Sequence, residues 1–423
     1  MTKFLSRFFF LFFILIISPW WYLYDIPGAT YLLDFFHLGE VWIVEFFNKY
    51  FFHIKDTLNQ NGGGSGDTSF AWAQFYTIIL LSIIGSIIWT LVDRKREKNY
   101  NSLNFWLRNI IRYHLAIVSL SYGIHKLFAL QMPFPNLSQL ATPLGDFLPM
   151  RLSWMFLGYS TPYQIFSGVM ETIVGLLLLN RKTVTTGVLL GIGVFANVFM
   201  LNLCYDIPVK QYSMLLLICC LFLAFYDGKR LLNFFCLNQN VQPSALYEIV
   251  LEKRWQKISR IVLKVIFVLL FVLMPLVQSW KMFKEENLKG ELKPIKAGVY
   301  NIDTFVKNQD TITISDDKMM WKDFIFDKGG TGSINTSDTL FRQRYNRGYF
   351  VYEPDTISQT IKFKKQISDT TNLFVLNYKI TDDSTLTLWG KLKSDSLYFK
   401  LNKNKRHFQL SERQFHWISE ANR

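Results

Sequence analysis

Two rhythms of apolar and polar residues divide this chain. Up to about residue 280 apolar side chains come in long, charge-poor runs; from about Leu288 they alternate with polar ones. A helix rising 1.5 Å per residue needs about 20 largely apolar residues to cross about 30 Å of hydrocarbon. Seven segments qualify, roughly 5–25, 70–92, 105–128, 162–180, 183–203, 211–232 and 259–280. They predict an α-helical integral membrane protein of about seven transmembrane helices. Period-two alternation over Asp310–Ser315, Ser358–Phe363, Asn372–Ile380, Ser384–Trp389 and Ser396–Leu401 predicts half-buried strands. Asp382-Asp383 and Lys393-Ser394-Asp395 fall where hairpin turns are needed. The tail is therefore expected to be an all-β domain, an antiparallel sandwich or small barrel.

Where the cations fall sets the expected orientation. Lys3 and Arg7 precede the first run. Arg94, Lys95, Arg96 and Lys98 follow the second, Arg181 and Lys182 separate the fourth and fifth, and Lys229, Arg230, Lys253, Arg254, Lys257 and Arg260 crowd the loop before the seventh. Asp25, Asp34, Glu40, Glu45 and Asp67 sit on the other side. The positive-inside rule then puts the N-terminus in the cytoplasm and the β domain outside it. Phe8–Ile17 looks like a signal-peptide core, but Ser-Pro-Trp-Trp-Tyr follows in place of a cleavage site, so an uncleaved first span is expected. Residues 33–55 mix Phe and Trp with Glu40, Glu45, Lys49 and Lys55, as a helix lying at the interface would. Residues 133–160, with four prolines, suit an outer cap or re-entrant segment. The expected divisions are 1–104 (N-terminal helices), 105–233 (a four-helix unit), 234–285 (cytoplasmic loop and last helix) and 286–423 (the extracytoplasmic β domain).

Composition agrees with a membrane part and an aqueous part. Half the 423 residues are hydrophobic and only 18% are charged, against about a quarter in soluble proteins. The formal charge of +14 is accounted for by basic loops between apolar runs, and no basic, aromatic-interleaved unit that would bind nucleic acid is visible. Cys204, Cys219, Cys220 and Cys236 form no C-x-x-C pair and read as apolar filler. The six His form no metal-ligating pattern, so no metal is expected.

Polar groups at membrane depth are costly and ask for an explanation. Tyr122, His125 and Lys126 lie toward the outer end of the third run, with Tyr122 and Lys126 one turn apart. Glu171 stands about 13 Å into the fourth, with Gly168 and Gly175 beside it to let helices approach. Asn197 and Asn202 are in the fifth, and Asp206 and Lys210 follow at its outer end. Two readings stay open. Lys126 and Glu171 simply pair while the Asn residues join helices, or these residues line an outer-leaflet pocket for a quinone-like or other amphipathic ligand. Arg108, Arg112 and His114 read as lipid-headgroup anchors.

Arg112 with Tyr122-Gly123-x-x-Lys126, then Phe166–Thr183 around Glu171, then Asn197–Lys210, and finally Asp227-Gly-Lys-Arg230-Leu, resemble the DoxX family of small four-helix membrane proteins over about a third of the chain. The resemblance implies a four-helix membrane unit in a bacterial inner membrane, a loose association with membrane redox chemistry, a quinone as ligand and a membrane or periplasmic redox partner protein. Relatives include a subunit of thiosulfate:quinone oxidoreductase. The helices before and after this unit, and the β domain, depart from the family's short pattern. No dinucleotide, haem or flavin motif is present, so the function expected is a quinone- or lipid-binding subunit. The alternative is a non-catalytic scaffold anchoring a partner-binding β domain.

Overall fold

The computed structural model describes residues 2–420 except 25, 94–99, 245–248, 289, 291–292, 313–320, 340, 414–415 and 419. Asp25, the basic run Arg94, Lys95, Arg96 and Lys98, and the end of the expected strand at residues 313–315 lie outside the described residues. In chain order the α-helices among the described residues are α1 (Lys3–Ile17), α2 (Ala29–Phe47), α3 (Ser69–Val92), α4 (Asn101–Leu127), α5 (Leu137–Leu140), α6 (Pro149–Tyr159), α7 (Thr161–Leu179), α8 (Val184–Cys204), α9 (Lys210–Tyr226), α10 (Gly228–Phe235), α11 (Arg254–Val268), α12 (Met274–Leu288) and α13 (Gln409–Glu412). Two compact units result: residues 1–132 with 160–280, and residues 133–159 with 281–423.

The first unit is helical. Among the described residues, five helical stretches are long and apolar enough to cross a membrane: Lys3–Leu23, Ser69–Val92, Thr161–Leu179, Val184–Cys204 and Arg254–Leu288. The last joins α11 to α12 through a π-helical turn, Leu269–Leu273, and none of its apolar window is buried within the chain. Two other expected spans fall on helices of different character. The run 105–128 coincides with α4, 27 residues long, whose Arg108, Arg112, His114, His125 and Lys126 lower its hydropathy. The run 211–232 is broken after Tyr226, leaving α9 at 17 residues followed by the separate, amphipathic α10. Residues 33–55 form most of α2 and a π turn, Asn48–Phe52, with Phe35, Leu38 and Trp42 exposed along one side.

The core of this unit joins α1 (Phe12, Phe13), α4 (Leu107, Ile111, Leu115), α7 (Val174, Leu178), α8 (Val188, Phe195) and α9 (Leu215, Leu216, Cys219, Cys220). Cys219 and Cys220 are buried filler as expected, whereas Cys204 and Cys236 are exposed. Arg7, expected only as a cytoplasmic cation, is buried. It donates to Thr90 Oγ1 at 2.6 Å, to the Tyr100 hydroxyl at 2.6 Å and to Asp93 Oδ2 at 3.3 Å, and Tyr100 completes the ring on Asp93 at 2.8 Å. That network satisfies both charges, which is what lets an arginine leave water.

Helices α4 and α7 approach through glycines. A methyl on Gly168 would lie 2.7 Å from the Gly123 carbonyl oxygen and 2.8 Å from the Leu127 amide nitrogen. Those are backbone atoms, so the helices would have to part. Gly168→Ala should therefore cost about 1–3 kcal/mol, seen as a lower unfolding temperature in mild detergent. Gly193→Ala on α8, where a methyl meets nothing within 4 Å, should be neutral or slightly stabilising. Equal behaviour of the two variants would contradict the close contact.

The second unit is a closed antiparallel barrel. Its strands are β1 (Gly298–Lys307), β2 (Asp310–Thr311), β3 (Trp321–Phe326), β4 (Thr331–Thr336), β5 (Arg347–Asp355), β6 (Thr360–Lys364), β7 (Phe374–Ile380), β8 (Thr385–Leu392) and β9 (Asp395–Lys403). From β3 to β9 each strand pairs with the next, and β1 closes the ring by pairing with both β3 and β9. Eight strands thus form the barrel, with two-residue β2 added at the end of β1. Closure leaves no open edge to guard. The lumen is filled by side chains: Trp321 stacks on Phe399 at 5.2 Å, and Phe305, Phe324, Phe350, Phe363 and Phe374 pack around them. An eight-stranded barrel is just wide enough for this. Four of the expected strands match β6 to β9. The strands β1, β3, β4 and β5 were not expected, and β1 explains why. Its pairing with β9 shifts register between Ile302 and Thr304, which interrupts the alternation a strict period-two search needs.

Of residues 133–160, expected as an outer cap or re-entrant segment, 133–159 belong to the barrel unit. The Leu137 amide donates to Asp327 Oδ1 at 2.7 Å and the Ser138 hydroxyl to Asp327 Oδ2 at 2.6 Å. The Ser333 hydroxyl donates to Ser138 Oγ at 2.7 Å, and Arg347 Nε donates to Ser333 Oγ at 2.7 Å. Arg347 also holds Asp323 through both terminal nitrogens, at 2.5 and 3.2 Å. Phe147 meets Tyr345 edge-on. Asp323, Ser333 and Arg347 alternate with the lumen residues Phe324, Ile334 and Phe350, so they lie on the outer wall of β3, β4 and β5. The segment 133–159 buries that wall.

Candidate functional site

The polar residues singled out in the sequence do not gather in one pocket. Lys126 and Glu171 do meet: Lys126 Nζ donates to Glu171 Oε1, and the two residues are only 7% and 4% exposed. The glycine approach of α4 and α7 places them. Gly168 stands one turn before Glu171, and its open face lies against the backbone of Gly123 and Leu127 and the Cβ of Lys126. Glu171 Oε2 is buried with no hydrogen-bond partner among the described residues. Tyr122, one turn before Lys126, is 44% exposed, yet within electrostatic reach of Glu171. His125 is half-buried.

The other four residues go elsewhere. Asn197 is exposed on α8. Asn202 is buried and donates to Ser213 Oγ at 3.0 Å, tying α8 to α9. Lys210 pairs with exposed Asp206 at 2.7 Å and stands 3.7 Å from Asp67. Asp67 also accepts from the backbone amides of Lys210 and Gln211 at 2.8 and 3.0 Å, a carboxylate capping the start of α9. These contacts bind loops and helices together. The single outer-leaflet pocket is therefore reduced to its Lys126–Glu171 centre. Asp67 lies 143 residues from its partner, and no local signal could have revealed its role.

His114 is a second correction. Grouped with Arg108 and Arg112 as a headgroup anchor, it is instead buried midway along α4. Its Nδ1 meets the Tyr22 hydroxyl at 2.8 Å, and its Nε2 lacks a partner among the described residues. Tyr212 packs edge-on against it. Burial of an aromatic donor pair of this kind is invisible to a pattern that counts charges along one helix.

Chemically, the Lys126–Glu171 pair offers one acceptor and further ammonium protons. A ligand carbonyl could accept from Lys126, and a ligand hydroxyl could donate to Glu171 Oε2. Those two needs are the ones a quinone and its quinol present, so the donor set fits such a group.

No family model matches the chain, and no solved structure matches it. The chain is similar to the uncharacterized protein YwoB of Bacillus subtilis (strain 168), 32% identical over 84 residues, which is 20% of this chain and 54% of that protein. The chain thus spans about half the length of the curated relative it matches, and that relative's name states no activity.

Proposed function

We propose that this chain is a multi-pass membrane protein of the DoxX type that binds a quinone or a similar lipid at Lys126 and Glu171. It would serve as the membrane subunit of a redox partner protein, in the inner membrane of a bacterium. The observation that carries this reading is the buried carboxylate with one oxygen on a lysine and the other unpartnered among the described residues. A buried polar atom without a partner is costly, and a ligand hydroxyl would satisfy it. About seven crossings, with α4 and α9 added to the five apolar stretches, keep the basic loops on one side and carry the barrel to the other. The test is extraction of detergent-purified protein with organic solvent. Wild type should yield bound quinone, and Lys126→Met with Glu171→Leu should yield none while remaining folded. A folded wild type without quinone sinks the proposal.

A second reading, a scaffold that displays the barrel, is favoured by one feature. The barrel lumen is filled with aromatic side chains, and its outer wall is partly covered by residues 133–159. A filled, covered barrel suits recognition by surface rather than by cavity. Quinone-free wild type, with an envelope protein retained on the barrel, is the result that would select this reading.

A further inference from the structure

A cavity of about 380 Å³ opens among α1, the 3-10 turn that follows it (Pro19–Leu23), α2 and α3, a volume in the range of small-ligand sites. Its lining changes character along α3. Glu40 and Gln74 mark a polar end, whereas Ile78 and Leu81 stand one and two turns further along the same helix. Gln74 and Leu81 lie 5 and 12 residues into α3, hence about 8 and about 18 Å along its axis. Because α3 is long and apolar enough to cross a membrane, the polar end faces the membrane surface and the apolar end reaches about the middle of the hydrocarbon. That gradient is the one an amphipathic lipid presents within a single leaflet. Exposed Phe35 and Leu38 carry the apolar lining out to the mouth.

The polar end is already balanced. Glu40 accepts from Gln74 at 2.6 Å and stands 3.4 Å from His37 Nδ1. A second carboxylate brought there would be repelled by the first, so the site suits an uncharged ester and not a free fatty acid. Trp20 also lines the cavity, and its indole N–H is buried without a partner among the described residues. An ester oxygen brought up to it would satisfy that donor. Deeper in, Thr77 returns its hydroxyl to the Ala73 carbonyl at 2.8 Å, which leaves hydrocarbon as the natural filling.

Gly39 keeps the hollow open. It sits mid-way along α2, where glycine weakens a helix, and a methyl on it would meet nothing within 4 Å. Close packing therefore does not account for its small size, whereas a space kept for a guest does.

We propose that this cavity holds one acyl chain of a bilayer phospholipid, with its ester end toward Trp20 and its methyl end toward Leu81. The site is independent of the Lys126–Glu171 reading and shares no residue with it.

The test uses the full chain purified in mild detergent, with its unfolding temperature followed as dioleoylphosphatidylcholine is added in mixed micelles. A saturable rise is expected, and mass spectrometry of the intact complex should find a phospholipid retained on each chain. Gly39→Leu puts a side chain into the hollow without a clash. It should fold at least as well as wild type, yet need about tenfold more lipid for the same response, the effect of denying the chain two methylene positions. Gly193→Leu, on α8 outside the cavity and with equally open space, should respond as wild type does. Oleate should not replace the phospholipid. Wild type with neither the rise nor retained phospholipid, oleate acting in its place, or a response unchanged in Gly39→Leu overturns the proposal.

Discussion

Lys126→Met should destabilise the protein by about 3–5 kcal/mol, because it strands the Glu171 carboxylate in the α4–α7 contact. The glycines set the scale. Gly123 and Gly168 bring the two backbones together, and with Lys126 and Glu171 both under a tenth exposed an abandoned acid would stay shielded from bulk water. Replacing both residues, Lys126→Met with Glu171→Leu, removes the charge as well as its partner and should recover most of the loss. Unfolding of the purified protein in mild detergent gives all four stabilities of the cycle. A coupling free energy of several kcal/mol is expected. Losses from the single variants that simply add would mean that the two side chains do not hold each other. The double variant also separates the functional readings, since it should fold and yet carry no quinone if the pair is the ligand site.

The helical elements were legible because each is written within its own stretch of chain. A run of apolar residues can be read in place, whereas the caps at Thr68, whose hydroxyl takes the Ala71 amide, and at Ser160, which does the same for Tyr163, come from the structure. Glu171 could be read in place too, since a lone acid in an apolar run stands out wherever it points. The pairing of Lys126 with Glu171 was left open, because residues 45 apart meet only if the glycine faces turn toward one another. Arg7, His114 and Asp67 show the limit. Each is one polar residue whose role comes from partners 83 to 144 residues away.

The barrel was half legible for a different reason. β6 to β9 are successive hairpins with regular alternation, and turn residues such as Asp382, which accepts from the Ser384 and Thr385 amides at 2.7 and 2.8 Å, mark their ends. Closure is not a local property. It depends on β1 reaching both β3 and β9, and the register shift at Ile302 hides that strand from a period-two pattern. The cover supplied by residues 133–159 was missed because it arrives from between two helices, more than 140 residues before the strands it buries. An outward-facing polar residue on such a strand reads as solvated, which is how Arg347 escaped notice.

Arg347→Met should cost the barrel unit about 3–5 kcal/mol. Arg347 is 2% exposed, and its guanidinium serves Asp323 and Ser333 at once. Met fills much of the same space, so the loss reports the polar partners rather than a cavity. Asp323 would lose both its bonds to the guanidinium, and the Ser333–Ser138–Asp327 chain would lose the donor at its head. A pH signature separates this from loosened packing. Burial pushes the Asp327 carboxyl above its ordinary value of 3.8, against the bonds from Ser138 and Leu137 and the positive charge of Arg347. A carboxyl whose folded value is raised favours the folded state most when protonated. Its contribution is therefore greatest below 3.8 and falls as pH rises through the raised value. Without Arg347 the folded value climbs further and that fall deepens, so the variant's deficit should grow from acid toward neutral pH. Asp327→Asn, which removes the titration, should flatten the trend in the Arg347→Met background. A deficit that is the same at every pH would place the damage in packing alone and remove Arg347 from the charge balance of the buried wall.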